Sequence, residues 1–478
     1  MLHRLVLIPA ILCFACLVIV PALAAQGRPG YSHTGSALVS DIRVVDGLGN
    51  EPAEHQDIVI IDGKIGAIGP TGTLDVPSDA LTIAGQGLTA MPGLIDMHIH
   101  LQGSWAHGNL EGEQYAIRYD DEAIQQRLNG YLYAGVTTLQ EMGNDYDFAL
   151  KNRNRINGGE MLGPRFFTTG LPWSQLPTGW ESLDTGGGAA FNISNKVDDL
   201  TTIGTRLDRY KADKIEMIKL YTGISHHAAR FLIKEAHARG IKTVADLWDL
   251  NLDKVFMMAT GLDGWAHSAG FEIATRDDQE WMAAHDRFVV VTANVGEKLS
   301  GLRVADEQGQ RLQLQESLIV DIWGREVVED FYNKYPQLRE NLWEGPHSFY
   351  QQMGFGKMTR FRANFLTNIK GSHDAGVLIA GGSDDSFPSL WPGESMHREL
   401  ELLVMAGISP IDAIKICTHN GSRILGREDK FGSLQEGLSA DILIVKGNPA
   451  ENISDTRNVR EVFLRGKRID RDSLKLTP

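Results

Sequence analysis

Two kinds of hydrophobic pattern divide the chain. Residues 36–91 read as short runs of alternating apolar and polar positions broken by turn glycines: "ALVSDIRVVDGLGN", "DIVIIDGKIGAIGP" and "LTIAGQGLTAMPG". Alternation with a period of two predicts strands joined as hairpins. The runs "ADILIVKGN" and "VREVFLRGKRID" near the C-terminus repeat it. A small β-sandwich domain built from both ends, 36–91 and 429–478, is the expectation. Between them, over 92–428, strand-like runs alternate with helical ones, and eight candidate strands can be counted. They are "GLIDMHIH" (93–100), "GVTTLQEMG" (135–143), "PRFFTTG" (164–170), "EMIKLYTG" (216–223), "KTVADL" (242–247), "DGWAHSA" (263–269), "FVVVTAN" (288–294) and "GVLIAGGSDD" (376–385). The stretch "SHHAARFLIKEAHARG" (225–240) shows the helical spacing, with Ser225 as N-cap and Gly240 as stop. Eight strands with helical crossovers predict an α/β fold of the (β/α)8 TIM barrel type. A doubly wound open sheet is the alternative, but no glycine-rich phosphate loop follows an early strand. Residues 295–375 are too long for an ordinary connection and read as an insert or lid over the barrel mouth.

The first 25 residues stand outside this pattern. His3 and Arg4 precede an apolar run over 5–20, and "PALAAQ" follows with small residues at Ala22, Ala24 and Ala25. That is the form of a signal peptide, with cleavage expected after Ala24 or Ala25 and a periplasmic or secreted destination. An uncleaved anchor is the weaker reading, because the run is short for a membrane span. Cleavage would remove Cys13 and Cys16 and leave Cys417 alone, so no intrachain disulfide is expected. The composition is that of a globular protein, 42% hydrophobic and 22% charged, with a formal net charge of −15. Loss of Arg4 would make it −16. An anionic surface argues against nucleic acid and against anionic membrane surfaces as partners.

Chemistry in such barrels sits at the C-terminal ends of the strands. Strand one ends in His98 and His100, which share a face because side chains alternate. Two neutral imidazoles converging on one point suit a transition metal. Lys219 ends strand four, Asp246 strand five, His267 strand six, and Asp384 with Asp385 strand eight. Each alone has a plain structural explanation: a snorkelling lysine, a satisfied core histidine, a helix-capping aspartate. Their recurrence at successive strand ends argues for one site.

These residues lie in motifs that resemble the amidohydrolase superfamily, in its imidazolonepropionase-like and Xaa-Pro dipeptidase-like branch. "MPGLIDMHIHL", "MIKLYTG", "GWAHS" and "AGGSDD" carry the likeness, and "HREL" (397–400) with "GSLQEGLSADILIVKGNPAENI" resembles its closing helix and its return to the β domain. The resemblance implies two divalent metals: His98 and His100 on the first, a CO2-derived carbamate on Lys219 bridging both, and His267 on the second. Asp384 would bind the first metal and act as general base. Zinc is the default for such ligands, and the added carboxylates also suit manganese or iron. One departure stands out. The branch usually has a histidine at the end of strand five, where "TVADLWD" has Asp246. Asp246 as an oxygen ligand, a site working with one metal, and a lost activity all remain open. Tyr221 and His397 are candidate substrate contacts by resemblance. Gln140 and Glu141 stand where relatives often have an Arg-Asp pair. His226 and His227 read as a solvated helix start and Asp249 as a helix cap.

The expectation is an exported metal-dependent hydrolase that cleaves an amide bond in a dipeptide or N-acyl amino acid, Xaa-Pro among them. It would take a small-molecule or dipeptide substrate and could form a homo-oligomer. Hydrolysis of a cyclic amide or lactone, deamination, or ligand binding without turnover are the alternatives.

Overall fold

The structure, a computed structural model, describes residues 30–101, 120–174, 195–197, 199–221, 224–246, 257–299, 317–326, 328–329, 333, 360–385 and 390–475. The leader, Asp249 and much of the 295–375 insert lie outside the described residues. Among the described residues no helix is long and apolar enough to cross a membrane.

The two ends of the chain form one sheet. It has nine strands, and the N-terminal strands Ala37–Val44 and Leu88–Pro92 pair with each other in parallel. Leu88–Pro92 then pairs antiparallel with the C-terminal strand Ile442–Lys446, which brings Val459–Leu464 and Lys467–Ile469 after it. Val39, Ile42, Ile58, Ile60, Ile442, Ile444 and Phe463 fill its core, so alternating apolar positions from both termini are buried together.

Between the two halves of that sheet every expected strand is present. Leu94–Ile99, Val136–Glu141 and Arg165–Thr168 form a three-stranded parallel sheet. Met217–Leu220, Lys242–Ala245, Gly264–Trp265, Phe288–Val290 and Leu378–Ala380 run parallel in a second sheet, which the short strands Trp173–Ser174 and Asn195–Lys196 extend. All six residues of Leu94–Ile99 are buried, as expected for a parallel strand covered on both faces. The first and last of these strands meet: Met97 N donates to Gly381 O at 3.1 Å and Asp384 N to His98 O at 2.7 Å. Gly382 permits the approach, since a Cβ there would stand 2.8 Å from the His98 Cβ. Side chains from or beside all eight strands share one apolar cluster, among them Met97, Met142, Phe167, Met217, Val244, Ala266, Val290 and Ala380.

The helix over His226–His237 forms for the reasons its sequence announces. Ser225 Oγ accepts from Ala228 N at 3.3 Å, Ala228, Ala229, Leu232, Ile233 and Ala236 make one buried stripe, and Gly240 turns the chain at φ 72°. Three helices are described within or at the edge of the 295–375 insert: Ala293–Leu299, Ser317–Trp323 and Phe361–Asp374.

Candidate metal centre

Six side chains predicted from the strand ends converge. His100 Nε2 lies 3.4 Å and His98 Nε2 3.7 Å from Asp384 Oδ1. Lys219 Nζ lies 3.5 Å from His98 Nε2 and 3.1 Å from Asp246 Oδ2. His267 Nε2 lies 3.4 Å from Asp246 Oδ1. The His98 and His267 ring centroids are 4.6 Å apart. One ligand atom each from His98, His267 and Asp384 falls within 4.8 Å of the others. Tyr221 stands beside the group, with Lys219 Nζ 5.4 Å from its ring centroid.

The three rings are held from behind. His98 Nδ1 bonds to Ala266 O at 2.9 Å, His100 Nδ1 to Gly143 O at 2.7 Å and His267 Nδ1 to Thr292 Oγ1 at 2.8 Å. A carbonyl oxygen only accepts, so Nδ1 of His98 and of His100 carries the hydrogen and each Nε2 presents a lone pair to the centre. Burial, then the Lys219 charge, holds the His98 ring well below the usual imidazole range. Burial likewise lowers His100 to about 4, against the opposing pull of Asp384. Both are neutral near pH 7. Burial alone would push the Asp246 carboxyl up, but Lys219 and His267 outweigh it and keep it well below the usual carboxylate range.

This arrangement fits divalent cations. Among the described residues neither Asp246 Oδ1 nor Asp384 Oδ1 has a hydrogen-bond partner, although both are buried. Each instead faces an imidazole Nε2 at 3.4 Å. At Asp384 the facing His100 Nε2 presents a lone pair, and lone pair against lone pair in a dry interior is repulsive unless a cation lies between them. Three imidazole nitrogens and two carboxylates form the mixed N/O donor set that zinc, manganese or iron accepts.

His397 departs from its expected place. It is fully buried, with Nε2 bonded to Ala134 O at 2.9 Å and Nδ1 to Thr456 Oγ1 at 3.0 Å. Both nitrogens are committed to packing its helix against neighbouring segments, which leaves no atom for a substrate. Glu141 is structural too: it accepts from Leu101 N, Asn144 Nδ2 and Thr168 Oγ1 and ties three strand ends together.

Sequence reasoning missed the supports. Asp96 accepts from His98 N at 3.2 Å, from Ser383 N at 2.9 Å and from Ser383 Oγ at 2.6 Å, and so sets strand eight against strand one. It lies two residues before His98 on the same face, a signal that alternation offered. Arg127 Nη2 donates to His100 O at 3.1 Å and to Asp385 Oδ1 at 3.2 Å, and the Tyr131 hydroxyl donates to Asp385 as well. Nothing in the pattern of the helix Asp121–Tyr133 marks that buried pair as belonging to the site.

A model of the amidohydrolase family matches residues 89–469. The chain belongs to the amidohydrolase family. It is a hydrolase acting on C–N bonds. Ochratoxinase of Aspergillus niger is similar to it, 24% identical over 439 residues, which is 87% of this chain and 83% of that protein. Imidazolonepropionase of Vibrio cholerae is 30% identical over 133 residues, 23% of this chain and 32% of that protein. The crystal structure of a Xaa-Pro dipeptidase with bound methionine superposes with a TM-score of 0.68 at 20% identity, covering 91% of this chain and 99% of that one. That likeness shows a shared fold.

Proposed function

We propose that this amidohydrolase is a metal-dependent peptidase-like enzyme that cleaves the amide bond of a dipeptide or an N-acyl amino acid, Xaa-Pro dipeptides among them. The observation that carries the reading is the buried Asp384 Oδ1, which has no hydrogen-bond partner among the described residues and faces the inward lone pair of His100 Nε2, with Asp246, His267, His98 and Lys219 gathered beside it. Divalent metals would be held by His98, His100, His267, Asp246 and Asp384, and by Lys219 if it carries a carbamate. Bound there, divalent ions would acidify an attacking water and polarise the scissile carbonyl.

This chain's own residues supply the rest. Asp384 takes the proton of the attacking water on Oδ1 and delivers it to the leaving nitrogen. Its backbone N–H, bonded to His98 O at 2.7 Å, fixes that carboxylate relative to the histidine pair. The carbonyl oxygens behind His98 and His100 keep both rings in the tautomer with the lone pair inward. Tyr221, half-buried beside Lys219, is the described side chain placed to meet a substrate polar group. Dipeptide specificity is supported by the Xaa-Pro dipeptidase likeness and by an amide-cleaving family.

Three further parts of the reading are proposals of the same kind. The two parallel sheets are one (β/α)8 barrel, supported by the Met97–Gly381 and Asp384–His98 bonds and by the cluster common to all eight strands. The catalytic part is 92–428, and 36–91 with 429–478 make the β domain, supported by their shared sheet. The protein is exported after loss of residues 1–25, supported by the leader pattern.

The test is a panel of N-acyl amino acids and dipeptides, Xaa-Pro included, offered to metal-loaded enzyme with bicarbonate present. Hydrolysis by the wild type that Asp384→Asn lowers by about 10²–10⁴-fold supports the proposal. A wild type that binds metal but leaves every amide intact refutes it.

A further inference from the structure

Three imidazoles face the centre, but their anchors differ. His98 and His100 rest on carbonyl oxygens, whereas His267 rests on the Thr292 hydroxyl at 2.8 Å. Thr292 is fully buried and its φ is 44°. A β-branched residue in the left-handed region is an outlier, and such a conformation persists only where the surroundings impose it. Here the imposing group is visible. Glu399, fully buried on the helix Glu394–Met405, spans the two peptide groups that follow Thr292. Its Oε1 accepts from Ala293 N at 2.7 Å and its Oε2 from Asn294 N at 3.0 Å. The Asn294 side chain donates to the same Oε2 at 2.7 Å and to Ser395 O at 2.8 Å, so the turn is locked to that helix at several points. Glycine or asparagine would enter the left-handed region with less strain, but neither carries a hydroxyl. The strain is kept at the position where it sets an oxygen against the ring of a candidate ligand.

We propose that Glu399 and Thr292 are positioning residues for His267: the carboxylate clamps the turn, the turn aims the hydroxyl, and the hydroxyl orients the ring so that Nε2 faces the metal centre. The inference rests on the reading of the six side chains as a metal centre. It assigns the "HREL" segment its role through the glutamate, since the histidine of that segment packs elsewhere. Loss of such a supporting partner typically lowers metal affinity by about 10–100-fold.

The experiment uses the whole protein and cobalt(II) as probe. Wild type, Thr292→Val, Thr292→Ser, Thr292→Gly and Glu399→Gln are titrated against a competing chelator, with the visible cobalt spectrum as readout. The metal-free proteins are unfolded in urea in parallel. Thr292→Val keeps the shape and loses the hydroxyl, so one cobalt is expected to bind about 10–100-fold more weakly. Thr292→Ser keeps the hydroxyl and retains the wild-type spectrum and affinity. Thr292→Gly relieves the left-handed strain: metal-free stability holds or rises while cobalt affinity falls as in the valine variant. A packing role alone would lower both together. Glu399→Gln, with one acceptor oxygen in place of two, is expected to follow Thr292→Val. Valine and serine variants that both bind like wild type, or that both lose the same affinity, overturn the positioning role. A wild type that takes up no cobalt overturns the metal-centre reading and this inference with it, whereas a binding wild type matched by Thr292→Val overturns this inference alone.

Discussion

Asp246→Ala is the perturbation that most directly interrogates the unusual residue of the centre. In the metal-free protein Lys219 Nζ and Asp246 Oδ2 are 3.1 Å apart, with only 2% and 4% of their side chains exposed. At an effective dielectric constant near 20, unit charges at that separation attract by about 5 kcal/mol. Removing one partner of such a pair leaves the other buried without its counter-charge, at a cost of about 3–5 kcal/mol. Asp246→Ala is therefore expected to lose about that much stability by urea unfolding in the presence of a chelator. Lys219→Met with Asp246→Ala removes both charges and is expected to recover at least half of the loss, because an apolar replacement of a buried pair is often close to neutral. A single variant costing less than about 1 kcal/mol, or a double variant costing the sum of the singles, would show that the two groups do not act as a pair. The same variant, metal-loaded and measured by elemental mass spectrometry, addresses the other question. Two metals falling to one makes Asp246 a ligand, and one metal in both proteins makes the site mononuclear.

Four other outcomes can be measured. Asp384→Asn keeps the shape of the side chain but not its basicity, so kcat/KM on a cleaved amide should fall by about 10²–10⁴-fold. His397 takes a proton near pH 6.5 when unfolded and only near 4 when buried. Between those values the unfolded chain binds the extra proton, so stability rises with pH across the window, by about 3 kcal/mol, and His397→Asn should flatten that part of the urea-midpoint profile. Arg457 holds Glu401 at 2.6 Å and Glu394 at 2.8 Å at the junction with the C-terminal strands, so Arg457→Met should cost about 3–5 kcal/mol by urea unfolding; a loss below 1 kcal/mol would refute that role. Cys417 is buried and burial pushes its thiol up, so thiol reagents should modify it only as the protein unfolds.

Strand identity and the polar residues at the strand ends were legible in the chain because both follow from short-range rules, whereas their roles as ligands came only from the family resemblance. Period-two alternation marks a strand wherever it stands, and His98 and His100 share a face by that rule alone. The sequence by itself thus determined the eight parallel strands, the β segments at both ends, the helix capped by Ser225, and the six polar residues at strand ends. Tertiary structure alone decided the rest, because it depends on contacts between residues far apart in the chain. His397, taken from its motif as a substrate contact, is committed to Ala134 and Thr456, segments that the sequence places far from it. Asp96 meets Ser383 across 287 positions, and Asn294 meets Glu399 across 105. Thr292 carries no motif at all; only the clamp that bends its backbone puts its hydroxyl on His267. A strand end names which groups face inward. What aims them, and at what cost in strain and desolvation, is set by the neighbours that packing brings.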